Sequence, residues 1–134
     1  MRRLAVRIAV VACASLALAC TDATSPIEFA GTYTLQTVDG LPLPYVFQNT
    51  GATKVEALED TFVLNIAGTY SEAGQKRFTT NGVVTITFPV DAGNFTRRGD
   101  AVTLQSLLFG TWTGTVKDNT FTLVQSGLTL VYRR

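Results

Sequence analysis

The chain has 134 residues, 46% of them hydrophobic, a formal charge of +1 and no histidine. The missing histidine excludes His-based triads, imidazole acid–base chemistry and His metal ligation. Arg2, Arg3 and Arg7 all fall in the first nineteen residues. The other 115 residues hold eight Lys and Arg against ten Asp and Glu, a net charge of −2. A mildly acidic stretch of this size is one domain, and without a basic cluster it is a poor match to nucleic acid.

Residues 1–19 have a positive start and then the apolar run from Ile8 to Ala19, which is too short to span a bilayer. That is the pattern of a secretory signal. It ends Leu16-Ala17-Leu18-Ala19-Cys20 and is followed by the small polar residues Thr21-Asp22-Ala23-Thr24-Ser25-Pro26. This junction resembles the lipobox of bacterial lipoproteins. The resemblance implies cleavage before Cys20, a diacylglycerol on its thiol and acylation of the new amine. It also implies a membrane-anchored place in the cell envelope, at the outer membrane or the periplasmic face. Stable anchoring takes two or more chains, at about 0.8 kcal/mol per buried CH₂. With Cys13 in the signal and Cys20 acylated, the domain has no thiol left for a disulfide. The expected organisation is a lipoprotein signal peptide over 1–19, a flexible tether over 20–27 and a β domain over 28–134.

Past Cys20, threonine occurs 21 times between residues 21 and 129, and glycines at short intervals leave no run for a long helix. Asp39-Gly40 is the strongest hairpin dipeptide in the chain. The prolines of Leu41-Pro42-Leu43-Pro44-Tyr45-Val46-Phe47 suit a loop or edge over a barrel end. Glu56, Glu59 and Asp60 read as a solvated strand end. Period-two alternation then puts Phe62, Leu64 and Ile66 on one face, and does the same for Val84, Ile86 and Phe88 and for Val102 with Leu104. Ala67-Gly68, Arg98-Gly99-Asp100 and Asp118-Asn119 read as tight turns, the Arg-Gly-Asp tripeptide included. Phe121 with Leu123, and Leu128, Leu130 and Tyr132, supply the last two strands. Short links join antiparallel neighbours, so the expected fold is all-β, an antiparallel up-and-down meander of eight to ten strands. Closure into a small barrel removes the exposed edges that so many strands would otherwise carry, and an open sandwich is the second arrangement.

The opening Phe29-Ala30-Gly31-Thr32-Tyr33-Thr34-Leu35, then Val38-Asp39-Gly40-Leu41-Pro42-Leu43-Pro44, is similar to the start of small bacterial lipocalin-like domains. Leu64-Asn65-Ile66-Ala67-Gly68-Thr69-Tyr70 resembles their second hairpin, and Thr113 to Val116 through Gly127 to Arg133 their closing one. The resemblance implies a lipocalin-like barrel in which Tyr33, standing where lipocalins carry tryptophan, plugs the closed end and Arg133 packs over it. Gly110-Thr111-Trp112-Thr113-Gly114 also resembles an avidin-type strand opening. Trp112 is the only tryptophan, so biotin binding is not carried over.

Tyr33, Tyr70, Trp112 and Tyr132 are the candidate ligand-binding or barrel-core residues, since an aromatic ring with a polar handle serves either purpose. Neither catalytic residues, metal ligands nor a cofactor are expected. The expected function is non-enzymatic binding of a small apolar or amphipathic molecule in the barrel mouth. The alternative is a structural or protein–protein module with a solid core and no ligand.

Overall fold

The computed structural model describes residues 29–134; the signal peptide, the tether and Cys20 lie outside the described residues. Eleven strands follow one another: β1 (Gly31–Val38), β2 (Leu41–Pro42), β3 (Tyr45–Asn49), β4 (Thr53–Leu64), β5 (Thr69–Thr80), β6 (Val83–Thr87), β7 (Val90–Arg98), β8 (Ala101–Ser106), β9 (Gly110–Lys117), β10 (Thr120–Gln125) and β11 (Leu128–Arg133). Eight of them, β1, β4, β5, β7, β8, β9, β10 and β11, form a closed antiparallel barrel in which each strand pairs with the next barrel strand in sequence. Closure is made by β1, whose first half pairs with the end of β4 and whose second half pairs with β11. The up-and-down meander is as expected. The three further strands attach outside the ring, β2 to β1, β3 to β4 and β6 to β5.

Turn chemistry explains the tight connections. Asp39-Gly40 and Asp118-Asn119 each have positive φ at both central residues, the twist that matches flanking antiparallel strands. Asp39 also ties β1 to β11, because its carboxylate accepts the Thr129 N–H at 2.7 Å while its own N–H donates to the Thr129 carbonyl at 2.8 Å.

Two bulges set which side chains enter the barrel. An extra residue at Gln36 shifts the register of β1, so that Tyr33, Leu35 and then Val38 point inward. A second bulge at Leu58 lets both Ala57 and Asp60 face the interior. Ile66, expected to continue the Phe62–Leu64 face, lies past the end of β4 in an exposed turn. Val84 and Ile86 sit on β6, which pairs only with β5, and they and Phe88 are exposed instead of entering the core.

One half of the barrel is solid. Phe62 lies at the centre of a ring cluster, 5.2 Å from Tyr132, 5.3 Å from Phe121 and 5.5 Å from Tyr70, and Tyr33 reaches Phe121 at 5.9 Å. Such edge-on and tilted pairs add about 0.5–1.5 kcal/mol each to their burial. Phe29 closes this end. Its carbonyl accepts the Tyr33 hydroxyl at 2.6 Å, and the Arg97 guanidinium stands 4.7 Å over its ring. Arg134 completes the closure, donating to the Ala30 carbonyl and to the Asn119 side chain. Replacing Phe62 by Ala should therefore cost about 3–5 kcal/mol. Urea unfolding measures this, and a loss below about 1 kcal/mol would mean that the rings do not pack as a unit.

Candidate functional site

The other end of the barrel is open and differently built. Strands β4 and β5 each run for twelve residues; their first-to-pair halves belong to the barrel, and the remainder extends beyond it. There β3 and β6 join them in a four-stranded sheet above the mouth. Between this extension and the rim is a cavity of about 150 Å³.

Besides Glu59 at the rim, three acidic side chains reach the cavity. Asp60, Glu72 and Asp91 come from β4, β5 and β7, with Glu72 directly opposite Asp91 across the ladder. Each is two or four residues from an inward ring on its own strand: Phe62, Tyr70 and Phe95. The same alternation that fills the core thus carries the carboxyls into the mouth. Gly74 makes room for them, since a Cβ there would stand 3.1 Å from Asp60 Oδ1 and 3.3 Å from the Glu59 carbonyl.

The hydrogen bonds of this floor are nearly complete. The Tyr132 hydroxyl donates to Asp60 Oδ2 at 2.8 Å, and the Thr61 N–H donates to Asp60 Oδ1 at 2.9 Å. The Tyr70 hydroxyl donates to Asp91 Oδ2 at 2.7 Å. Asp91 Oδ1 is buried and receives no hydrogen bond from the described residues, although Asp91 as a whole is only 5% exposed. Lys76 also lines the cavity, but its ammonium sits 5.4 Å over the Phe47 ring and forms no ion pair among the described residues.

The walls above the floor are apolar: Leu35 and Leu130 low down, and Trp112 with Phe109 higher up. Phe109 stacks on Trp112 with ring planes 13° apart. The loop that presents Phe109 is fixed by Ser106, whose Oγ accepts the N–H groups of Leu108 and Phe109 at 3.0 and 2.8 Å.

Of the residues singled out from sequence, Trp112 lines the cavity. Tyr70 and Tyr132 lie beneath it as buried rings whose hydroxyls hold the acids, and Tyr33 belongs to the closed end. The guanidinium that covers an aromatic ring there is that of Arg97, over Phe29; Arg133 is exposed on the outside of β11. Asp60 is a correction as well: it is an interior residue, not part of a solvated strand end. Glu56, next to it in the same reading, is covered by Arg77 and Lys54 at 2.7 and 2.9 Å on the extension sheet, and only Glu59 is exposed. Arg98-Gly99-Asp100 forms the β7–β8 turn, with Asp100 between Arg97 and Lys117.

The electrostatics follow from burial. Loss of water pushes Glu72 up to about 8, and the neighbouring Asp60 charge and hydrogen bond push the same way. Burial also raises Asp60, against the pull of the Tyr132 hydrogen bond. The two carboxyls thus share a proton across much of the neutral range. Tyr132 and Tyr70 are raised well above the ordinary phenol range, by burial first and then by their acceptors Asp60 and Asp91. Glu56 is the opposite case, held at about 2 by hydrogen bonds from Arg77 and then Lys54. No group of three or more His, Cys, Asp or Glu side chains among the described residues has the arrangement of a metal site. No protein-family model and no curated protein matches this sequence.

A carboxyl held at about 8 in the folded state and near 4.5 in the unfolded one binds its proton more tightly when folded. Its contribution to stability is complete below about pH 4.5 and is lost as the pH rises to about 8. Glu56 works in the other direction: its contribution is present above about 4.5 and is lost as the pH falls toward 2. The urea midpoint of the protein should accordingly fall between about pH 5 and 8, while Glu72→Gln keeps it level and is the more stable form at pH 9. A variant less stable than wild type at pH 9 would contradict the buried, protonated Glu72.

Proposed function

We propose that this protein is a lipid-anchored envelope lipoprotein whose lipocalin-like barrel binds a small amphipathic molecule in its mouth, without catalysis. One observation carries the binding reading: the interior is solid up to the level of Tyr132 and then opens into a cavity walled by Trp112 and Phe109. Its volume, about 150 Å³, is at the scale of a single small ring. A pocket with apolar walls and a few convergent polar groups is the usual form of a small-molecule site. The closed eight-stranded meander supports the likeness to lipocalin-like domains. The anchor rests on the Leu16 to Cys20 junction and the polar tether that follows it.

A second reading, docking of a protein partner, draws on a different observation. Phe88, Val90, Leu107 and Leu108 are exposed, and the Leu107 N–H bonds to the Ala92 carbonyl, so the β8–β9 loop adjoins the start of β7. Exposed apolar side chains gathered in this way often mark an interaction surface. Leu108→Asp separates the two readings, because it should abolish a cross-link to a partner in intact envelopes while leaving a bound small molecule in place.

Native mass spectrometry of protein purified from its envelope should find a retained small molecule, with a lower retained fraction in Phe109→Ser. Wild-type protein that carries nothing would count against the binding reading. For the anchor, the N-terminal peptide should begin at Cys20 and carry the added mass of its acyl chains. An unmodified Cys20, or cleavage elsewhere, would refute it.

A further inference from the structure

We infer that the floor of the mouth recognises the ammonium group of a small primary amine whose apolar part lies against Trp112 and Phe109. This rests on the reading of the mouth as a small-molecule site and names the chemical class that fits it.

The polar groups of the floor are mismatched in kind. Three carboxyls, Asp60, Glu72 and Asp91, face one cavity with a single basic side chain, Lys76, whose ammonium is turned to the Phe47 ring. Glu59 at the rim adds a further acid. The tyrosine hydroxyls next to the floor are already committed, Tyr132 to Asp60 and Tyr70 to Asp91. The acceptor without a donor is Asp91 Oδ1, on a side chain 95% buried by its 5% exposure and lining the cavity. Buried acceptors without partners are rare in folded proteins. Asp91 lines the cavity, so a charged N–H donor held there, the strongest partner for a carboxylate, would stand next to this unsatisfied group.

The remaining constraints narrow the donor. A primary ammonium brings three N–H groups and a positive charge to acceptors that lie on adjacent strands. A quaternary ammonium has no N–H to give Asp91, and a neutral alcohol brings one donor and no charge. Above the floor, the stacked Phe109 and Trp112 rings offer an apolar wall and no further acceptor. A cavity of about 150 Å³ accommodates one ring and a short linker. Arylalkylamines have this shape.

The test is a titration of the full chain with phenethylamine and with its neutral counterpart 2-phenylethanol, followed by calorimetry and by the emission of Trp112, the only tryptophan. The amine should bind about tenfold or more tightly than the alcohol, as expected when a charge-assisted hydrogen bond is gained. Asp91→Asn should remove that preference by weakening the amine alone, whereas Asp118→Asn, in the turn at the opposite end, should leave it intact. Should Asp91→Asn not fold, Asp91→Ser provides the same comparison and should also weaken the amine selectively. Equal affinity for amine and alcohol, or an amine affinity unchanged in both floor variants, would overturn the ammonium assignment while leaving a binding mouth. Failure of both compounds to bind at millimolar concentration would overturn the assignment together with the small-molecule reading on which it rests.

Discussion

The hydrogen bond from the Tyr132 hydroxyl to Asp60 joins the last strand of the barrel to β4 and marks the level at which the interior changes character. An eight-stranded barrel is just wide enough for its own side chains to fill. Below this bond they do so with rings; above it the next inward positions on β4 and β5 are carboxyls. A buried carboxyl is costly unless its oxygens find donors. Asp60 has the Tyr132 hydroxyl, the Thr61 N–H and the shared proton of Glu72, in a space that Gly74 leaves free. The ring beneath must therefore be tyrosine. Phenylalanine would pack against Phe62 and Phe121 equally well, but it would leave Asp60 Oδ2 without its donor.

The two ends of the barrel follow from this division. At the closed end every device shuts the interior: Phe29 under the Arg97 guanidinium, Tyr33 bonded to the Phe29 carbonyl, and Arg134 clasping Ala30. At the open end β4 and β5 run on past the ring of strands, and Lys76 on β5 and Phe47 on the attached β3 stand over the cavity. The polarity of the mouth is inverted relative to a simple apolar calyx, with acids at the bottom and aromatic rings at the rim. On the proposed reading a ligand enters polar group first and leaves its apolar part between Trp112 and Phe109.

Much of the architecture was legible in the sequence because the signals were local. Alternation in Phe121, Leu123, Leu128, Leu130 and Tyr132 and the turn dipeptides Asp39-Gly40 and Asp118-Asn119 act within a few residues, and short links dictate antiparallel neighbours. Alternation misled where a strand stopped or left the barrel, as at Ile66 and along β6, because period two says that residues share a face but not that the face is buried. The acid floor illustrates the converse. Asp60 lies two residues before Phe62, Glu72 two after Tyr70 and Asp91 four before Phe95, so parity alone puts all three on inward faces. For Asp60, charge suggested solvent instead. What was not legible is that β4, β5 and β7 stand side by side, which depends on β6 leaving the barrel path.

The buried, proton-sharing pair Asp60 and Glu72 is the claim on which the stability argument depends. Carbon-detected NMR titration of the side-chain carboxyls of Asp60 and Glu72 tests it most directly. The account predicts that one proton stays on the pair until about pH 8, with the two resonances moving together. Independent titration of both groups in the ordinary carboxylate range, near pH 4, would contradict it.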